Sequence, residues 1–345
     1  MKLARFFGTG VIAAVAATLS AGANAAETVV LKVAHFVPPS YTLHADVIVP
    51  WCETLERESK GTLKCQIYPA LQLGGTPTQL VDQVKNGVAD IVWTIPGYSA
   101  GRFPAIEALE HPFLAVDAAS SSRAAWEFAN KYAQKEFEPY KVLAVHTDGG
   151  AGVHTTQEIK TFAEFKGLRL RAASRMLSKL ITALGGVPIA MPISQVTESL
   201  SKGVLDGAVA SWEAVLPSKL NDVVKFHLDP PAGEPTMAAI VCTMLMNKQR
   251  YASLSPEHKA LIDKHSGLIL SEAFGKAWDV SIAANRKKVL AEGAKISVIS
   301  PDNFKAMTAA AAAVSEEWAN EMTAKGLDGK SLVNGAREIL ARHKP

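Results

Sequence analysis

The sequence predicts an α/β protein of two units bridged by one long helix. Three observations predict it. Short β-branched stretches alternate with amphipathic helical ones along the first 150 residues or so. The alternation pauses at a glycine run, Asp148-Gly-Gly-Ala-Gly152, and then starts again. Near the C-terminus, 271–292 reads as one unbroken helix, about 33 Å long at ~1.5 Å per residue, more than one small unit needs. The length of 345 residues fits two domains at roughly 100–200 residues each.

Each element has its own signal. Strands are expected at 29–35, 63–67, 89–95, 141–146, 168–171, 187–191, 206–210, 222–227 and 237–246, all short apolar or alternating runs. The βαβαβ order of the first part implies a largely parallel sheet with helices on its faces. A helix over 41–60 follows from Val47, Ile48, Trp51, Cys52 and Leu55 at spacings of three and four, and Gly61 stops it. Thr76-Pro opens a second helix that Gly87 ends. Asp117 is the expected N-cap of a helix over 117–138, and further helices fill 174–184 and 194–202. A helical tract spans 256–292, and surface helices 302–325 and 331–343 close the chain. With the glycine run as a crossing point, the domains are 26–148 plus 237–276, and 149–236 plus 277–345.

The first 25 residues stand apart. Lys2 and Arg5 precede an uncharged run, 6–19, and Ala23-Asn24-Ala25 follows. A positive start, an apolar centre and a small-x-small end read as a secretory signal peptide over 1–25. The run is shorter than the ~20 residues of a membrane span, and no later segment matches it. The mature chain is therefore expected to be exported and not to span a membrane. Losing Lys2 and Arg5 takes the net charge from +3 to +1. A near-neutral balance without basic tracts argues against nucleic acid as a partner. With 48% hydrophobic and 20% charged residues, disorder is excluded too.

Export makes the three cysteines informative. Cys52 falls in the first helix and Cys65 in the following strand. An oxidising compartment permits a bridge between them; two buried free thiols are the competing reading. Cys242 lies in an apolar run and reads as inert core. The nine histidines show no metal-ligand spacing. There is no nucleophile elbow, zinc-protease helix or phosphate-binding loop. Ser199-Leu-Ser-Lys202 sits on an amphipathic helix and reads as solvent face. Catalysis, a metal and a cofactor are therefore not expected.

Unusual residues gather at strand ends, where ligands collect in open α/β sheets. Phe36 follows the first strand. Trp93, Ile95 and Tyr98 close the third. His154 follows the glycine run, and Trp212-Glu213 follows the strand at 206–210. For either tryptophan alone, core packing is the simpler reading. In Lys166-Gly-Leu-Arg-Leu-Arg171, alternation puts Arg169 and Arg171 on one face. Either that face is solvated, or a guanidinium there grips a carboxylate.

These residues resemble a family. In order along nearly the whole mature chain come Ile67-Tyr-Pro-Ala-Leu-Gln-Leu-Gly-Gly75, Lys85-Asn-Gly-Val-Ala-Asp90, Phe165-Lys-Gly-Leu-Arg-Leu-Arg171, Leu184-Gly-Gly-Val-Pro188, Ser194-Gln-Val and Leu200-Ser-Lys-Gly-Val-Leu-Asp-Gly207. Together they resemble the periplasmic solute-binding subunits of tripartite ATP-independent (TRAP) transporters, dicarboxylate type. The resemblance implies a two-domain, periplasmic-binding-protein-like clamp with crossing strands and a long helix bridging both domains. It implies periplasmic location and a partner permease of two integral subunits, driven by an ion gradient. It also implies that Arg171 holds the ligand carboxylate, and that Ser174 and Ile193 contact the ligand.

Departures from the family pattern shape the expected ligand. Sialate-binding members resemble this chain but carry Asn at Phe36, Glu at Ile95, Arg at Tyr98, Arg at Val153 and Asn at Ala210. A sugar acid here leaves hydrogen bonds unmade, at about 1–3 kcal/mol each. A dicarboxylate lacks its second guanidinium. The expected ligand is a monocarboxylate with an aromatic or otherwise apolar body, walled by Phe36, Tyr98 and Trp212. His154 and Glu213 are polar candidates for a hydroxyl or keto group. A sensor-input subunit for the same ligand, or a periplasmic enzyme on a bilobal fold, are the alternative functions.

Overall fold

The computed structural model describes residues 28–344; the expected leader, 1–25, lies outside the described residues. The first sheet holds β1 (Val29–Ala34), β2 (Leu63–Tyr68), β3 (Ile91–Thr94) and β4 (Tyr140–Thr147). The second holds β5 (Gly152–Thr155), β6 (Arg169–Ala172), β7 (Val187–Ala190), β8 (Gly207–Ala210) and β9 (Phe226–Asp229). β10 (Val241–Asn247) then returns to the first sheet and β11 (Lys295–Val298) to the second. The orders are β2-β1-β3-β10-β4 and β11-β9-β5-β8-β6-β7. β1 runs parallel to β2 and β3, β6 to β7 and β8, and β9 to β11. The strand that follows each crossing is the exception. β5 is antiparallel to β8 and β9, and β10 is antiparallel to β3 and β4.

The crossings lie side by side. The Asp148 N–H donates to Ile240 O at 3.1 Å, and the Ala151 N–H to Ala238 O at 2.9 Å. Gly150, at φ +111°, passes so close to Thr236 that a Cβ would sit 1.8 Å from its Oγ1. No other residue fits there, so the glycine run is a packing requirement of the crossing.

Seven helices position the rest: α1 (Val49–Glu58), α2 (Ala118–Tyr132), α3 (Arg175–Ala183), α4 (Trp212–Val215), α5 (Leu268–Ala291), α6 (Pro301–Ala324) and α7 (Gly329–His343). Asp117 caps α2 by accepting the Ser120 N–H at 2.7 Å, and Ser174 caps α3 from the Leu177 N–H at 3.3 Å. The helical tract expected over 256–292 is broken. Gly267, at φ +76°, gives its N–H to Leu143 O at 2.7 Å, and α5 begins just after it.

α5 has 24 residues, about 36 Å of helix, and is tied to both units. Its Gly275 lies against the start of α2, where a Cβ would meet Ala118 O at 2.6 Å. Asp279 accepts the Ala118 and Ala119 N–H groups at 2.8 and 2.9 Å. On the other side, Asn285 donates to Glu213 O at 2.9 Å and Arg286 to Asp229 at 2.9 Å.

Other expectations are corrected. The strand expected at 222–227 begins only at Phe226, because Leu220–Val223 coils into a helical turn. Of 237–246, only the part from Val241 joins a ladder, and the residues before it are the crossing. β5 and β11, four residues each, lack an apolar run long enough to read as strands. The stretch 277–345 is divided between the units, with β11 in the second sheet. α6 packs on α3, with Lys179 paired to Glu317 at 2.6 Å. α7 packs on α2, where Glu127 pairs with His343 at 2.8 Å.

Cys52 on α1 and Cys65 on β2 are disulfide-bonded, 13 residues apart, with Cα atoms 5.6 Å apart. Closing a loop of that size restricts the unfolded chain. Converting both cysteines to alanine is expected to lower unfolding free energy by about 2–4 kcal/mol, read as a lower urea midpoint.

Candidate functional site

The carboxyl ends of β1, β3, β6 and β8 face one cavity between the two units. The volume open to the centre of a water molecule is about 50 Å³, or about four waters at roughly 10–15 Å³ each. Four waters fill roughly 120 Å³ of liquid, close to the ~150 Å³ cavity that takes up a benzene. The space is that of one aromatic ring.

Its walls are aromatic. Phe36 stands 5.4 Å from Trp93 and 5.5 Å from Tyr98, ring centre to ring centre. Trp278 of α5 stacks on Trp93 at 6.4 Å. The Trp93 indole N–H donates to His146 Nε2 at 2.9 Å. An indole can only donate, so the His146 proton sits on Nδ1, facing Thr147 O at 3.2 Å. Burial drives the His146 pKa down to about 3, and the ring stays neutral as a rigid backing for Trp93.

Arg171 is the cation of the site. Leu168 and Leu170 bury one face of its segment, and both arginines take the other. Arg169, nearer the edge, pairs with Asp206 at 2.6 Å. Arg171 is only 3% exposed. Its Nε donates to Met191 O at 3.0 Å, Nη1 to Val209 O at 3.2 Å and Nη2 to the Tyr98 hydroxyl at 3.2 Å. A guanidinium has five N–H groups, so one on each terminal nitrogen remains. Among the described residues, no carboxylate lies within salt-bridge distance of it. A buried charge without a counter-charge is costly, and the remaining fork matches the two oxygens of one carboxylate.

Tyr98 joins the halves. Its oxygen accepts from Arg171 and from the Ile193 N–H at 3.1 Å, leaving its own proton to donate. On the other side of the cleft mouth, Glu213 Oε1 accepts the Thr42 N–H at 3.2 Å, and the Tyr41 hydroxyl bonds to Ser218. Asp148 accepts the Gly150 and Ile240 N–H groups at 3.0 and 2.8 Å. Burial lifts the Asp148 carboxyl to about 6, against the pull of these donors and of Arg171. Burial lifts Glu213 further, to about 8.

Phe36, Trp93, Ile95, Tyr98, Arg171, Ile193 and Glu213 thus come together at the cavity. Three expected residues do not. Trp212 donates its indole N–H to Asp229 at 2.8 Å and packs between His154 and His227. His154 bonds to His227 at 2.7 Å and Ala210 O at 3.0 Å. Gly152 and His154 share the β5 face toward Trp212, which is turned from the cavity. Ser174 is spent as the cap of α3. Lining residues that the sequence did not single out include Tyr41, Asp148, Cys242 and Trp278. An acid just before a glycine run at a crossing was the available signal for Asp148.

Comparison with known proteins accords with this geometry. The model of bacterial extracellular solute-binding protein family 7 matches residues 33–321, and the chain belongs to that family. It is a solute-binding protein of the TRAP type. A TRAP solute-binding protein from Rhodoferax ferrireducens T118, solved with copurified benzoate, is 38% identical. The match covers 92% of this chain and 98% of that one, with a TM-score of 0.89. A marine-metagenome TRAP protein specific for aromatic acids, solved with 3-hydroxybenzoate, is also 38% identical. It covers 92% of this chain and 100% of its own, with a TM-score of 0.90. A Bordetella bronchiseptica TRAP protein with bound mandelate is 26% identical, over 92% and 100%, with a TM-score of 0.84.

Buried carboxyls make stability depend on pH. Glu110, behind β10, accepts the Val241 N–H at 2.9 Å, and burial lifts it from 4.5 to about 8. Its folded form keeps a proton that the unfolded chain has lost above pH 4.5, so stability falls as pH rises toward 8. Between pH 6.5 and 8, Glu110 is expected to account for roughly 1–2 kcal/mol of that fall. Urea unfolding of Glu110→Gln should show a flatter pH dependence than the parent; an equal slope would remove Glu110 from the account.

Proposed function

We propose that the protein captures an aromatic monocarboxylate in the periplasm and delivers it to a TRAP-type membrane permease. The observation that carries this is Arg171: a buried guanidinium with a free fork and no carboxylate partner among the described residues, in a cavity walled by Phe36, Trp93 and Tyr98. In this reading Arg171 binds the carboxylate, the Tyr98 proton adds a hydrogen bond, and Ile95 and Ile193 pack on the ring. The volume supports a single ring over a sugar acid. Benzoate, 3-hydroxybenzoate and mandelate in the relatives support the same class. Periplasmic location is supported by the leader pattern and by the Cys52–Cys65 bridge, which forms in oxidising compartments. Among the described residues no helix is long and apolar enough to cross a membrane.

Capture is by closure. Tyr98 and Thr42 come from the first unit and bond to Arg171, Ile193 and Glu213 of the second. A carboxylate on Arg171 adds an attraction between the halves that water cannot match.

Thermal shift of residues 26–345 against aromatic and aliphatic monocarboxylates, dicarboxylates and sialate tests the ligand class. A ligand at 100 times its Kd adds about 2.7 kcal/mol, and aromatic monocarboxylates are expected to stabilise most. A larger shift with a dicarboxylate or sialate would overturn the assignment. Arg171→Ala is expected to cost about 2–5 kcal/mol of binding by calorimetry; retained affinity would move the carboxylate elsewhere.

A further inference from the structure

The cavity has a second polar pole that a plain aromatic carboxylate leaves unused. One pole is Arg171 with Tyr98, reached from the loop after β3. The other is Glu213 with Thr42, reached from the loop after β1. Each pole spans the cleft by its own hydrogen bond. The remaining lining includes the apolar Phe36, Trp93, Ala210 and Ile240.

Glu213 is only 3% exposed. Among the described residues, the hydrogen bonds to its carboxyl come from Thr42 alone. Ionised, a carboxyl has about four acceptor sites, and protonated it keeps acceptor capacity and gains a donor, so Thr42 leaves capacity unfilled in either form. A buried polar group with spare capacity favours a ligand that completes it.

We infer that Glu213 reads a hydroxyl on the aromatic ring, remote from the carboxylate, so that the preferred ligands are phenolic monocarboxylates. The inference rests on the proposed aromatic-acid reading and narrows it. The carboxylate on Arg171 fixes one end of the ring. A meta or para hydroxyl then reaches the other pole and donates to Glu213. An ortho hydroxyl is held by the ligand's own carboxylate. Burial keeps Glu213 largely protonated near neutral pH, which suits a neutral hydroxyl better than an ammonium group. Asp148 belongs to the first pole: Arg171 draws its charge, and the Gly150 and Ile240 N–H groups hold its Oδ1.

The test is calorimetric titration of the mature protein with benzoate, 3- and 4-hydroxybenzoate, and their methoxy counterparts. A methoxy group fills similar space and cannot donate. At least one hydroxybenzoate is expected to bind about 10-fold tighter than benzoate and than its methoxy analogue. Glu213→Leu is expected to bring that ratio close to one, and Glu213→Gln, which can still accept, to keep part of it. Equal affinity for benzoate and both hydroxybenzoates in the parent protein overturns the inference without any variant. Methoxy analogues as tight as hydroxy ones overturn it too, since filling space would then explain the preference. A ratio unchanged in Glu213→Leu assigns the reading to another group. If no aromatic acid binds, the proposed function itself fails.

Discussion

Two chain segments cross between the sheets side by side, and everything else in the molecule is placed by that crossing. Hydrogen bonds from 148–151 to 238–240 zip them together, and Gly150 lets them touch. The same few residues carry Asp148 and Ile240 into the cavity wall. The hinge and the floor of the site are therefore one structure. A movement of one sheet against the other cannot leave the cavity unchanged, which is the property a capturing clamp needs.

Within the cavity, polar groups are few, and Arg171, Tyr98 and Glu213 bond across the cleft. Arg171 spends three N–H groups on neutral oxygens and keeps a fork. Tyr98 accepts twice and keeps a proton. Burial keeps Glu213 largely protonated near neutral pH, while Asp148, lifted only to about 6, acts on Arg171 from beyond salt-bridge distance and leaves its fork open. Low dielectric strengthens whatever anion enters. The aromatic walls contribute area and shape, while the directional bonds decide orientation.

The fold was legible in outline because the core strands are clean apolar runs. The site was legible where a side chain follows a strand end. Phe36, Trp93 and Tyr98 do so, and Arg171 follows from alternation together with the family motif. Alternation alone left Arg171 on a face that water could equally have covered. Trp212 and His154 show the limit of position without direction. β5 was not read as a strand, so its alternation could not reveal that His154 faces Trp212 and not the cavity. Trp278 was hidden for another reason: it arrives on a bridging helix far away in sequence, and its apolar neighbours read as ordinary packing. Cys242 sat in a run that reads as core, and it is core on every side but one.

The small size of the cavity has a consequence for the bonds that span it. Tyr98 bonds to Ile193 at 3.1 Å, and Thr42 to Glu213 at 3.2 Å, directly across that space. Neither bond, at 3.1 and 3.2 Å, tolerates a wider separation of the halves. The pair therefore works as a go/no-go gauge, judging cargo by whether it lets the case latch.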